Sequence, residues 1–461
     1  MNGRSPMRRG KYGFPGTLLV ALTLLLVIGC SGKEEVGLPD APHPVILINI
    51  GTLRADHLGC YGYDRATSPS IDSLAAEAVR FEWAFSQAPM TGPSQASIFT
   101  GLYPSSHGMV DEGTRIPEQA LTLGEAFSGM GCKTAAFVDG GYLSPGFGLE
   151  QGYEVYDNSQ GGGLDVVGPK AIEWLRAHAS ENFLLLVHTY DVHTPYDPPP
   201  ATRDLFLEGL AAPTDGFTPG VEEMEAVRAS FETDSPSPLP ENDVEYAKAL
   251  YDAEIRAVDE WVGEFLEVVA ELGLDKRATI VLFSDHGEEF QEHGSVLHEK
   301  LYATVTHVPL LVRLPSGYAA KSVPQVVEMI DVMPTLLELS GVDSLPPMQG
   351  ESLVPLIEGM GQPPYLAFSE SPFFGGQQAV AMGGYHLIYS TESGQASLYN
   401  VAYDPLEESD LADTEKDRVD VMMRHLETWR EKLGRFTIEG GEEAAVADET
   451  LEQLRSLGYV Q

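Results

Sequence analysis

Thr91-Gly92-Pro93-Ser94-Gln95-Ala96-Ser97-Ile98-Phe99-Thr100-Gly101 places a hydroxyl two residues before a proline that suits the first turn of a helix. Backbone N–H groups at such a helix start point toward the hydroxyl and make an anion site. A nucleophile beside fixed positive dipoles is what chemistry on a sulfate or phosphate ester requires. The other reading of the segment is an ordinary Thr cap on an amphipathic helix. A second pair, Asp285-His286 in Ser284-Asp285-His286-Gly287-Glu288, follows an apolar run. An oxygen donor next to an imidazole suits a divalent cation, or else the pair forms a hydrogen-bonded loop.

The elements that must position these residues are legible as an alternation. Val45–Ile50, Thr134–Val138, Phe183–Val187, Ile280–Phe283 and Val308–Val312 read as buried strands. Between them Ile71–Ala84, Val166–His178 and Val244–Leu272 read as helices. The fold class is therefore α/β: a doubly wound, mostly parallel sheet flanked by helices, with ligands bound beyond the carboxyl ends of its strands. Thr52-Leu53-Arg54, Asp139, His188 through His193 and Asp285-His286 all fall at that edge. Residues 200–243, rich in Pro, Asp and Glu, read as an insertion or lid. The main domain spans 45–356. From 357 to 461 the short runs Ala379–Met382, Tyr385–Tyr389 and Ser397–Val401 and a helix over Asp417–Leu433 read as a smaller antiparallel subdomain.

Residues 1–30 read as an export signal. Arg4, Arg8, Arg9 and Lys11 precede an apolar run from Leu18 to Ile28, and the run ends in Val27-Ile28-Gly29-Cys30. The run is shorter than the roughly 20 residues of a membrane-spanning helix. Cys30 is the expected lipidated first residue, 31–44 a polar tether, and the body lies outside the cytoplasm, at the outer membrane where there are two. The alternative is an uncleaved anchor. Cys60 and Cys132 then remain, buried and free or paired. With 28 basic and 69 acidic side chains the chain carries −41, and about −45 without its first 30 residues. That charge excludes nucleic acid and other polyanions as surface partners. It also repels an anionic substrate unless a metal reverses the local field.

Together with Thr189-Tyr190-Asp191-Val192-His193-Thr194-Pro195-Tyr196, these stretches resemble the sulfatase family of the alkaline-phosphatase superfamily. So do Thr52 through Gly62, Thr100-Gly101-Leu102-Tyr103-Pro104, His307-Val308-Pro309-Leu310, Asp331 through Leu337, Tyr399 through Pro405 and Leu457-Gly458-Tyr459. The resemblance implies an alkaline-phosphatase-like fold and a hydrolase of anionic sulfate or phosphate esters, or a phosphotransferase. It implies a divalent metal, Ca2+ first, with Mn2+ or Zn2+ as alternatives, held by Asp285, His286 and the nucleophile Thr91. His193 is then the contact to the ester and the proton source for the leaving oxygen. His298, with Lys300 as a nearby substitute, supplies a cationic contact, and Arg54 supports the nucleophile. His107, His293 and His307 are read as structural.

Three positions depart from the family pattern. Thr91 stands where a sulfatase has the Cys or Ser that becomes formylglycine, which shifts weight toward phosphoryl chemistry, including phosphodiesterase and transferase reactions. Gln95 replaces an Arg or His beside the nucleophile, and an amide lowers a hydroxyl pKa far less than a charge does. Gly51 replaces the Asp that binds the metal at the end of the first strand, and Asn49 is about 6–7 Å back along it. The opposing reading is therefore a pseudoenzyme that binds an anionic ligand or a partner without turnover. For the N-terminus, a Cys30→Ser chain is expected to leave the membrane fraction, as read by fractionation and immunoblot. Quantitative pelleting of that variant rejects the lipid anchor.

Overall fold

The computed structural model describes residues 38–459, except 112, 160, 232, 234, 316, 317, 374, 435, 437 and 439–442. The export signal, Cys30 and the first half of the tether lie outside the described residues. Among the described residues no helix is long and apolar enough to cross a membrane.

Among the described residues, ten strands belong to the first part of the chain: β1 (Val45–Ile50), β2 (Val79–Phe85), β3 (Lys133–Val138), β4 (Val155–Asn158), β5 (Phe183–Thr189), β6 (Thr279–Phe283), the short pair β7 (Glu289–Phe290) and β8 (Val296–Leu297), β9 (His307–Arg313) and β10 (Lys321–Glu328). Eight of them form one sheet in the order β10-β2-β9-β6-β1-β5-β3-β4. Neighbours run parallel except at β9, which is antiparallel to both β2 and β6. Helices cover both faces, so the central strands are apolar on both sides. On one face Val45 and Leu47, Leu184 and Leu186, and Val281 and Phe283 pack against Ala96, Ile98 and Phe99 of the helix Thr91–Thr100. On the other, Ile46, Ile48, Ile50, Leu185 and Leu282 pack against the helices Gly163–His178 and Glu241–Glu271.

Strand alternation carries the first face directly into the polar edge. The next positions on that face are Asn49 after Leu47, His188 after Leu186, and Asp285 after Phe283. All three side chains are fully buried. Adjacent strands thus deliver them beneath the helix that begins at Thr91.

The sequence reading misplaces one element. Ile71–Ala84 is not a single helix: the helix Pro69–Ala75 ends early and β2 begins at Val79. Val79, Phe81 and Phe85 alternate with Arg80 and Glu82, a period of two that wins over the helical pattern. Residues 200–243 hold two short helices, Pro200–Leu207 and Val221–Ser230. The C-terminal part is an antiparallel sheet of β11 (Ala367–Ser371), β12 (Gln377–Met382), β13 (Tyr385–Ser390) and β14 (Ala396–Tyr399). The helix Lys416–Leu433 lays Met422, Leu426 and Trp429 on Phe368, Val380, Leu387 and Leu398. The free thiols Cys60 and Cys132 are not paired.

Behind the edge sits the fully buried Arg54. Its guanidinium grips both oxygens of Asp56 at 2.9 and 2.8 Å, Glu292 at 2.8 Å and the Glu288 carbonyl at 3.0 Å. Burial raises the Glu292 pKa, but Arg54 and Lys248 outweigh it and hold the carboxyl at about 2. Breaking such a pair leaves a buried charge without its partner, so Arg54→Met is expected to cost about 3–5 kcal/mol in chemical denaturation. Glu292 is more acidic folded than unfolded, so its contribution is complete above the ordinary carboxylate pKa. It fades as pH falls from there toward about 2. The difference between wild type and variant should therefore shrink across that acid window.

Candidate functional site

The helix Thr91–Thr100 starts at Thr91 itself, with Met90 as its cap and no side chain capping the first turn. All ten residues are buried, so it is not an amphipathic surface helix. The Thr91 hydroxyl is thereby left for other partners. It lies 3.1 Å from His286 Nε2 and 2.9 Å from the Tyr459 hydroxyl. Ser94, one turn on, donates to the Asp285 carbonyl at 2.7 Å and fixes the helix against the loop after β6. Across the strands, Asp285 Oδ1 accepts from the Thr52 amide at 3.2 Å and Ser284 Oγ accepts from the Leu53 amide at 2.9 Å. These bonds register the β1 and β6 ends against each other.

Three imidazoles face Thr91, and their tautomers follow from their partners. His286 Nδ1 is 2.9 Å from the Gly287 carbonyl, His193 Nδ1 2.6 Å from the Thr194 carbonyl, and His298 Nδ1 3.1 Å from the Pro89 carbonyl. A carbonyl only accepts, so each Nδ1 carries a hydrogen and each Nε2 presents a lone pair. Thr91, with one hydrogen, can therefore donate either to His286 Nε2 or to the Tyr459 oxygen. His193 Nε2 and His298 Nε2 are 3.1 Å apart, an attractive contact only with a proton between them. Burial opposes that proton: it lowers the His193 pKa to about 4. Burial, reinforced by His286 and His193, pushes His298 well down too. An anion placed between the pair and Thr91 would supply the missing countercharge.

The structure brings together Thr91, His193, His298, Asp285 and His286. It does not bring Arg54 to the nucleophile, because its guanidinium is taken up by Asp56 and Glu292. Lys300 donates to the His293 carbonyl at 2.8 Å, and it is His298 that meets His193. His107 bonds Ser97 and the Met109 amide, His293 stacks on Tyr302, and His307 bonds the Glu82 carbonyl. Gln95 turns its amide oxygen to Asn49 at 2.8 Å. Tyr459, which bonds both Thr91 and His193, is a site residue the sequence reading did not single out. Its signal was present in Leu457-Gly458-Tyr459, but no local pattern tells where a chain end docks.

The residues fit a divalent cation on three donors. Asp285 Oδ2 is buried with no protein partner, His286 Nε2 is turned inward 3.7 Å from it, and Thr91 Oγ1 stands beside that nitrogen. Among the described residues no group of three or more His, Cys, Asp and Glu side chains is arranged to hold an ion. Gly51 adds no donor at the end of β1. A Cβ there would lie 3.2 Å from the Thr189 carbonyl and 3.6 Å from His188 Nε2. Both nitrogens of His188, Asn49 Oδ1 and Gln95 Nε2 are likewise buried without protein partners. A carboxylate at residue 51 would sit within reach of His188. Beside His193 a cleft of about 1010 Å3 opens, lined by Asp139, Asp191, Asp197, Glu254, Glu449 and Glu452 and by no Lys or Arg among the described residues.

Comparison with known proteins gives the chain's family. The sulfatase family profile matches residues 43–342, and that of the N-sulphoglucosamine sulphohydrolase C-terminal region matches 291–432. An N-acetylglucosamine-6-O-sulfatase of Bacteroides thetaiotaomicron is 24% identical over 76% of this chain and 76% of its own length. A ulvan-active sulfatase of Formosa agariphila is 27% identical over 86% of this chain and 82% of its own. Among solved structures, one in complex with its substrate D-glucosamine-2-N,6-O-disulfate has a TM-score of 0.71 at 19% identity, covering 86% of this chain and 98% of that one. The phosphonate monoester hydrolase of Agrobacterium radiobacter has a TM-score of 0.66 at 19% identity, covering 88% and 100%. The fold is thus the alkaline-phosphatase-like one of these neighbours, and the chain belongs to the sulfatase family of ester hydrolases.

Proposed function

We propose that the protein hydrolyses a sulfate or phosphate ester through the Thr91 hydroxyl. The observation that carries the reading is that Thr91 caps nothing and stands 3.1 Å from His286 Nε2, opposite the His193–His298 pair. Thr91 Oγ attacks sulfur or phosphorus while its proton has an acceptor in His286 Nε2. The leaving oxygen takes the proton held between His193 and His298, and water then releases the acid from Thr91. Asp285, His286 and Thr91 would hold a divalent cation, which would take the His286 Nε2 lone pair in place of that proton, neutralise the ester oxygens and ease loss of the hydroxyl's proton to water. Phosphoryl rather than sulfuryl chemistry is favoured because a threonine has no route to formylglycine. The carboxylates of the cleft disfavour a polyanionic chain, so the substrate carries one anionic head on an uncharged or cationic body.

A second reading, binding of an anionic ligand without turnover, is favoured by Gly51 and by Gln95, whose amide oxygen faces Asn49. In this reading the fold supplies the pocket and the family's chemistry is lost. The body's lipid attachment through Cys30 at the outer membrane belongs to the same proposal.

Assayed on aryl sulfates, phosphomonoesters and phosphodiesters, Thr91→Ala is expected to abolish turnover, and intact-peptide mass spectrometry should show unmodified Thr91 in the wild type. His193→Ala should lower kcat by about 10²-fold. Unchanged rates in Thr91→Ala would reject the nucleophile. Gly51→Asp separates the two readings. The backbone at Gly51 is not left-handed, and the new Cβ asks the Thr189 carbonyl to yield only slightly. Divalent-metal affinity, read by calorimetry, should rise at least about tenfold, the lower bound for partners one layer further out from a metal. Turnover should rise with it in the enzyme reading. A well-folded Gly51→Asp protein that gains neither metal nor rate supports binding without turnover.

A further inference from the structure

The chain end reaches the catalytic pocket. The nine-residue helix Asp448–Ser456 buries Thr450 and Leu454. Gln453 holds it by accepting from the Gly141 amide at 2.9 Å and donating to the Asp139 carbonyl at 2.5 Å. Gly458, with φ of 87°, then turns the chain inward. The Tyr459 ring lies 4.9 Å from that of Tyr142, 5.2 Å from His193 and 5.8 Å from His298. Its hydroxyl is 2.8 Å from His193 Nε2 and 2.9 Å from Thr91 Oγ1, and the residue is 8% exposed. In-line displacement needs the attacking and leaving oxygens on opposite sides of a central atom. With the phenol oxygen in direct hydrogen-bond contact with Thr91, no sulfur or phosphorus fits between them.

We propose that the C-terminal segment 448–459 is a tethered occupant of the active site: the Tyr459 phenol holds the nucleophile and the acid, and the segment must undock before an ester reaches Thr91. For its effect on turnover this rests on the function proposed above; for binding it stands alone. The segment is built to leave. A nine-residue helix is marginal without its docking contacts. Glu449 and Glu452 line the same cleft as Asp139, Asp191, Asp197 and Glu254. Burial pushes Asp139 up to about 7 and Asp191 and Glu254 up as well, so the like charge that opposes docking there grows as pH rises.

The test uses the full chain and 4-nitrophenol as the probe, since a free phenol competes with Tyr459 for the same pocket. Calorimetry should show Tyr459→Ala binding it at least about tenfold more tightly than wild type, as expected if the open form is a tenth or less of the population. Hydrogen exchange across 448–459 should rise in wild type on adding the phenol, and in Gln453→Ala without it, a variant that touches neither Thr91 nor His193. Equal phenol affinity in wild type and Tyr459→Ala, or exchange in the segment unchanged by both perturbations, overturns the proposal. If no form hydrolyses any ester while the affinity difference persists, the hydrolase reading fails and the tethered occupant stands.

Discussion

Three backbone carbonyls decide what this pocket can do. Gly287, Thr194 and Pro89 each take the Nδ1 hydrogen of an imidazole, which leaves three Nε2 lone pairs aimed at one small volume around Thr91. Those carbonyls lie in loops at one sheet edge: after β6, after β5 and just before the helix that starts at Thr91. The sheet order sets β6, β1 and β5 side by side, so the loops meet. The helix is pinned to the same edge by Ser94 on the Asp285 carbonyl. A pocket with several bare lone pairs and little positive charge is uncomfortable by itself. It becomes favourable when a proton, a cation or a hydrogen-bond donor enters.

Tyr459 is such a donor. Since His193 Nε2 must accept, the phenol donates to it, and the proton that burial denies to the histidine pair is replaced by a hydroxyl hydrogen. The orphaned polar atoms under the Thr91 helix show the other side of the same constraint. Asn49, His188, Gln95 and Asp285 are delivered to one face by strand alternation and by the helix. Each buried group left unpaired costs about 1–3 kcal/mol. A carboxylate at residue 51 would stand next to His188 and could accept from it, whereas Asn49 Oδ1 and Asp285 Oδ2 are themselves acceptors and call for a donor or a cation.

Most of the fold was legible because its strands are buried on both faces and so read as apolar runs, as in Phe183–Val187 and, but for Asn49, Val45–Ile50. What failed was a segment where two periods overlap: Ile71 and Leu74 fit a helix while Val79, Phe81 and Phe85 fit a strand, and tertiary pairing with β9 and β10 decides. The short strands β4 and β11 carry too little pattern to stand out, and β10 is interrupted by Ser322, Pro324 and Gln325. Thr91, His193, His298, Asp285 and His286, which the structure brings together, stood out in the sequence by their types and loop positions. The partners of Arg54 did not, because Asp56 and Glu292 are acidic residues whose convergence only the fold creates.

Charge closes the physical picture. A chain of −41 presents carboxylates even on the walls of the cleft beside His193. An anionic ester approaching that cleft gains nothing from long-range steering, so its recognition rests on short-range contacts within the pocket. The pocket's own contribution is small while His193 and His298 stay neutral, since burial holds His193 near 4. Positive charge must therefore arrive with or before the ester: a proton between the two imidazoles, a cation on Asp285, or both. Gly51 brings no charge to the end of β1, so in the function proposed above the cation would rest on Asp285, His286 and Thr91 alone, and the strength of anion binding would depend on how fully those three recruit it.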